Sequence, residues 1–158
     1  MDRIDFSKWV DEVINTSYTY GINRLLNTID KDVIKEIEQK GIKLDGKVYI
    51  TDKRIKHTIR DNKKKENPDI VLTEQELKYM FDIVNKPDKI LIEKAETRGN
   101  IGKERFLFIK ELADDISIKL IIEKKLDKDY LTYITASKIK TIKGKVLNGY
   151  NVIYKKPL

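Results

Sequence analysis

From Lys89 onward the apolar residues recur at every second position, and this change of period constrains the chain more than any other feature. Segments 89–94, 105–112, 116–124 and 131–139 each read as a strand. Ile116, Ile118, Leu120 and Ile122 alternate without a break. Polar connections at Arg98-Gly99-Asn100, Asp114-Asp115 and Asp127-Lys128-Asp129 separate the strands. Links this short join neighbours antiparallel, so the pattern predicts a meander of four strands. The tail 144–156 sets Val146, Val152 and Ile153 around Asn148-Gly149, which adds a final hairpin or a fifth strand.

Before residue 89 the period is that of a helix. Phe6, Trp9, Val10, Val13 and Ile14 recur at spacings of three and four; so do Ile22, Leu25, Leu26 and Ile29, then Val33, Ile34 and Ile37. Gly21 separates the first helix from the second and Gly41 stops the last, giving two or three helices within residues 1–42. Lys47-Val48-Tyr49-Ile50-Thr51 is a short strand after an Asp45-Gly46 turn. Thr51 or Asp52 caps a following helix that carries His57 and frays at Lys63-Lys64-Lys65. After a loop through Asn67-Pro68, Thr73 and Glu76 form a capping box for a helix over Leu77, Met80, Phe81 and Val84, which ends at Asn85-Lys86-Pro87-Asp88. The expected class is α+β: amino-terminal helices (1–42), then a domain (43–158) built on a four- to five-stranded antiparallel meander sheet.

Cysteine is absent and His57 is the one histidine among 158 residues. Disulfides and thiol chemistry are excluded, a structural zinc site is disfavoured, and neither a metal nor a cofactor is expected. No apolar run is long enough to span a bilayer, and the amino terminus does not read as a signal peptide. The net charge of +7 is unevenly spread. Residues 1–42 hold six basic and eight acidic side chains, residues 52–66 seven and three, and residues 138–158 six lysines with no acid. Concentrated positive charge favours polyanions. The plain alternative is a lysine-rich composition whose charges are merely solvated.

Histidine is the side chain whose unperturbed pKa lies near neutrality. On a helical wheel at about 100° per residue, Ile55 and Ile59 share one face and His57 points away from them, with Lys53, Arg60, Asp61 and Lys64 nearest it. A core histidine is therefore disfavoured, leaving a functional imidazole or an idle surface one. In the strand 131–139, Leu131, Tyr133, Thr135 and Ser137 face one way, and Thr132, Ile134, Ala136 and Lys138 the other. Ile134 and Ala136 read as the core side, so Tyr133, Thr135 and Ser137 line an open face where hydroxyls and a phenol can meet phosphate or a base. A half-exposed strand that favours β-branched and aromatic residues explains the same pattern.

The order strand, histidine-bearing helix, second helix and meander, carried by Ile55-Lys56-His57, Leu77 to Ile90, Phe106 to Lys110 and Thr132 to Ser137, resembles the phage-associated barnase–EndoU–colicin–RelE-like (BECR) nuclease superfamily over about residues 45–140. The resemblance implies a small metal-independent endoribonuclease toxin domain, phage-borne or delivered as an effector, with the cytoplasm as its site of action. It makes His57 the general acid or base, puts Lys110 at the scissile phosphate and gives Thr135, with Ser137 beside it, the task of orienting phosphate; Lys53, Arg60 and Tyr133 join Ser137 as substrate contacts. RNA, with tRNA as one candidate, is the implied substrate, and a cognate immunity or antitoxin protein the implied partner. The family pattern often carries a second histidine shortly after the first; here Asp61-Asn62-Lys63 stand there, so a two-histidine mechanism is closed to this chain. RNA supplies its own nucleophile, the 2′-OH, and leaves a 2′,3′-cyclic phosphate, so the protein needs only proton transfer and positive charge. Two rival readings stay open: a non-catalytic phage-encoded nucleic-acid-binding or inhibitor protein, and a protein-interaction module using the amino-terminal helices.

Overall fold

A computed structural model describes residues 1–94, 102–113, 115–140 and 147–158, apart from the Asp69 side chain. Helices α1 (Arg3–Asn15), α2 (Lys31–Glu38), α3 (Asp52–Lys63), α4 (Glu74–Lys78) and α5 (Met80–Asn85) accompany strands β1 (Asn23–Thr28), β2 (Lys47–Thr51), β3 (Lys89–Glu93), β4 (Lys103–Ala113), β5 (Ile116–Lys125), β6 (Leu131–Lys140) and β7 (Tyr150–Lys155). The seven strands form one sheet in the order β1-β2-β6-β5-β4-β3-β7. The period-two segments become β3 to β6, and the tail supplies β7, antiparallel to β3 at the sheet edge. The turn at Arg98-Gly99-Asn100, together with Asp114 and Val146, lies outside the described residues.

The α+β class holds, but the sheet is larger than a four- to five-stranded meander and it is mixed. Val48 and Tyr49 of β2 pair with Leu131 and Thr132 of β6 in parallel. The expected helix over residues 22–29 is instead strand β1, antiparallel to β2. A bulge between Leu25 and Asn27 inserts one residue into β1 and breaks the strand alternation, which is why its apolar spacing imitated a helix. Of the four residues that suggested a helix, Leu26 and Ile29 are buried, whereas Ile22 is exposed. The expected division after residue 42 does not follow the core. Phe6, Trp9, Val10, Val33 and Ile37 share one apolar cluster with Val48, Ile50, Phe106, Leu120 and Tyr133, and β1 belongs to the common sheet.

That cluster lies between the helices and one face of the sheet. Side chains alternate along β4, so Phe106 and Phe108 enter it while Leu107 and Ile109 turn to the opposite face and meet Leu91, Ile121, Leu147 and Tyr150. Helix α4 opens with the expected capping box: Thr73 Oγ1 accepts from Glu76 N, and Glu76 Oε1 accepts from Thr73 N, both at 3.1 Å. Among the described residues no helix is long and apolar enough to cross a membrane.

Candidate active site

Helix α3 is fixed by its polar inner face as much as by its apolar one. Thr51 caps it, Oγ1 accepting from Arg54 N at 3.3 Å. Ile55 packs into the core. Thr58 is fully buried; its Oγ1 donates to Arg54 O at 2.9 Å, lies 2.5 Å from the Tyr133 hydroxyl and 3.4 Å from Thr135 Oγ1. Asn62 Nδ2 donates to Ala136 O on β6 at 3.2 Å, and its Oδ1 accepts from Leu72 N at 3.1 Å. With that face held on β6, Lys53, His57 and Arg60 emerge on the outer side, and Arg54 and Lys56 are half-buried beside them.

These five line a cleft of about 680 Å³ together with Thr51, Thr132 and, from the loop ahead of β1, Ser17, Tyr18, Thr19 and Gly21. His57 Nε2 lies 3.1 Å from Asp61 Oδ2, one helical turn on, with the imidazole 49% exposed. Asp52 holds the loop against α3. The residue is 9% exposed, and its carboxylate accepts from Tyr20 N at 2.8 Å and Gly21 N at 2.9 Å, besides Lys53 N at 2.9 Å. Burial alone raises the Asp52 carboxyl, but the amides of Tyr20, Gly21, Lys53 and its own residue outweigh that and hold it below the ordinary carboxylate value. Gly21 has φ of +71°, and a Cβ there would sit 3.3 Å from Lys53 Cε, so the sharp entry into β1 needs glycine.

The structure gathers three of the expected site residues, Lys53, His57 and Arg60, in this cleft. Tyr133 is a correction: it is fully buried and bonded to Thr58, so it cannot line an open face. Its reversal has a local cause. Opposite Ile121 and Ile122 the ladder passes from Thr135 to Tyr133, so Ile134 is an extra bulged residue. Leu131 and Tyr133 point into the core before the bulge and Ala136 after it, while Ile134, expected inside, is half-exposed. Burial pushes the Tyr133 phenol far above its usual range, although the Thr58 hydrogen bond works against this. Thr135 meets Thr58 rather than the cleft, and Thr132 is the β6 residue that borders it.

Lys110 stands elsewhere. It pairs with Ile118, which in turn pairs with Lys138, so two strand spacings separate it from β6. Its Nζ is 3.5 Å from Asp88, and it lines a different pocket with Arg3, Tyr79 and Asp82. Ser137 lies beside Lys119 in the ladder. By alternation with the core residues Leu120 and Ile122, Lys119 and Glu123 lie on the face away from the helices. Glu123 Oε2 accepts from Arg105 Nε at 3.2 Å and Nη2 at 2.9 Å, and the Tyr150 hydroxyl donates to Glu93 at 3.4 Å. Burial, then the charges of Lys65 and Arg105, push Lys119 below the ordinary lysine value. Sequence reasoning missed the cleft roles of Asp52, Thr132 and the Ser17–Gly21 loop. The spacing of four between His57 and Asp61 was the one legible signal of that pairing. Among the described residues no group of three His, Cys, Asp or Glu side chains could hold a metal ion.

An open cleft floored by four cations and one imidazole lies beside the mixed sheet, a concentration of positive charge that suits a phosphorylated polyanion. The profile of the family described as phage-Barnase-EndoU-ColicinE5/D-RelE like nuclease3 matches residues 24–146, and the chain belongs to that nuclease family. The match begins in β1 and ends beyond β6, leaving α1 and the loop that walls the cleft outside it. No curated protein and no solved structure matches the chain.

Proposed function

We propose that the chain is an endoribonuclease toxin domain that needs no resident metal and works from the His57 cleft. The observation that carries this reading is the His57–Asp61 pair set among Lys53, Arg54, Lys56 and Arg60. Asp61 accepts from Nε2–H and so leaves Nδ1 as the base. Nδ1 takes the proton of the substrate 2′-OH as that oxygen attacks phosphorus; the bond from phosphorus to the 5′-oxygen breaks and a 2′,3′-cyclic phosphate forms. Water entering the open cleft protonates the departing 5′-oxygen, and the imidazolium returns its proton to solvent. The four cations stabilise the charge that builds on the phosphate oxygens.

The experiment is cleavage of RNA, tRNA first, by the purified chain in EDTA, with analysis of the product ends. Cyclic phosphate ends and loss of cutting in a folded His57→Ala variant are expected; full activity in that variant overturns the mechanism. Salt-dependent binding without any product instead favours the non-catalytic binder. A toxin of this kind implies a neutralising partner whose acidic surface covers the cleft.

A second reading keeps the reaction and moves its chemistry to the far face of the sheet. It is favoured by the lowered lysine Lys119 near the Arg105–Glu123 pair, with Ser137 alongside. It expects Lys119→Met to stop cutting while His57→Ala does not.

A further inference from the structure

Tyr18 and Tyr20 sit on the loop between α1 and β1, outside the segment that the family profile matches. They are the two most exposed aromatic side chains among the described residues, at 68% and 72%. Their rings meet edge to face, 6.3 Å between centroids and 86° between planes, which leaves ring faces open to solvent. Tyr18 borders both the basic cleft and a smaller depression that Tyr20 shares. The loop is not free to fold away, because the buried Asp52 carboxylate holds the amides of Tyr20 and Gly21.

Tyr18 thus stands at the rim of a cleft whose floor is Lys53, Arg54, Lys56 and Arg60, and the Tyr20 ring meets it from the adjoining depression on a backbone anchored by Asp52. Backbone phosphate suits the floor, and the face of a nucleobase suits the rings. A base inside a duplex already stacks on its neighbours on both sides, so only an unpaired base can lie on a tyrosine. We propose that Tyr18 and Tyr20 form a base-stacking subsite that makes the cleft select single-stranded over double-stranded RNA. This rests on RNA being the ligand of the His57 cleft, but not on His57 being the catalyst.

The test measures binding of 2′-O-methyl RNA, which lacks the free 2′-OH and so cannot be cut by the proposed reaction. Anisotropy titrations compare a single-stranded uridine oligomer, the same oligomer with abasic positions, and a duplex. Tyr18→Ala and Tyr20→Ala are expected to weaken single-strand binding roughly 5- to 150-fold per ring and to leave duplex binding within twofold. Tyr→Phe at either position is expected to retain wild-type binding, and the abasic oligomer to bind wild type as weakly as the Ala variants bind the intact strand. Equal loss on single strand and duplex, or no loss on either, overturns the proposal. A chain that binds in this pattern yet never cuts RNA refutes the nuclease mechanism while upholding the subsite.

Discussion

The hydroxyl pair Thr58–Tyr133 permits a test in which the order of effects matters more than their size. Tyr133 is fully buried, and its hydroxyl has Thr58 Oγ1 as partner at 2.5 Å. Thr58 has a second partner, the Arg54 carbonyl at 2.9 Å. Tyr133→Phe therefore strands no donor: the Thr58 proton still reaches Arg54 O, and the loss is that of one hydrogen bond, about 1 kcal/mol. Thr58→Val preserves shape but leaves the phenol buried without its partner, at about 2–3 kcal/mol. In the double variant no orphan remains, so its cost falls short of the sum of the singles by at least about 1 kcal/mol. With a urea slope of roughly 2 kcal/mol/M, the midpoints drop by about 0.5 M for Tyr133→Phe and about 1–1.5 M for Thr58→Val. Equilibrium urea unfolding followed by Trp9 fluorescence reads all three. Strict additivity refutes the network argument. Unchanged stability with lost cleavage in Tyr133→Phe refutes the interior placement and restores the phenol to the substrate.

Other outcomes follow from the same geometry. His57→Ala lowers the cleavage rate roughly a hundred- to ten-thousandfold with an unchanged unfolding midpoint, since the imidazole is half-exposed and supports nothing in the core. Asp61→Ala changes stability by less than about 1 kcal/mol, because both partners are half in water, so any larger loss in rate reports orientation of the imidazole. Asp52→Asn destabilises the fold at neutral pH; because the folded carboxyl titrates below its unfolded value, the stabilisation is present above the unfolded pKa of about 4 and is lost as pH falls through the folded one. The gap between wild type and this variant therefore closes in acid urea titrations. Lys110→Ala leaves cleavage within about twofold, because Lys110 is paired with Asp88 outside the cleft; a loss of several hundredfold in kcat shows that the phosphate reaches it.

The meander and the histidine face were legible because each rests on one local rule. Alternation fixed β3 to β6, and the wheel that set Ile55 opposite His57 correctly predicted which side of α3 meets solvent. The errors share a cause. One extra residue in β1 disguised a strand as a helix, and one in β6 turned Tyr133 from the open face to the core. A bulge leaves no mark in composition and shifts every later side chain by one position. The position of Lys110 depended on strand order, and the parallel insertion of β6 beside β2 is a long-range pairing that no window of sequence contains.

That parallel ladder also bears on when the molecule can act. Val48 and Leu131 are 83 positions apart, so closing the loop between them costs about 4 kcal/mol of chain entropy plus a constant, before any contact offsets it. Topologies dominated by such distant pairings fold slowly. On the ribosome, β1, β2 and α3 emerge long before β6, and α3 then has neither Tyr133 to satisfy Thr58 nor Ala136 to satisfy Asn62. Thr132, which completes the cleft wall, also arrives only with β6. The nascent chain thus carries its imidazole and its cations on a helix that lacks its β6 partners until residues 131–140 are made, and the cleft takes shape only when β6 is released and inserted. For the nuclease proposed above, that order of assembly delays a complete cleft until translation of β6 is finished.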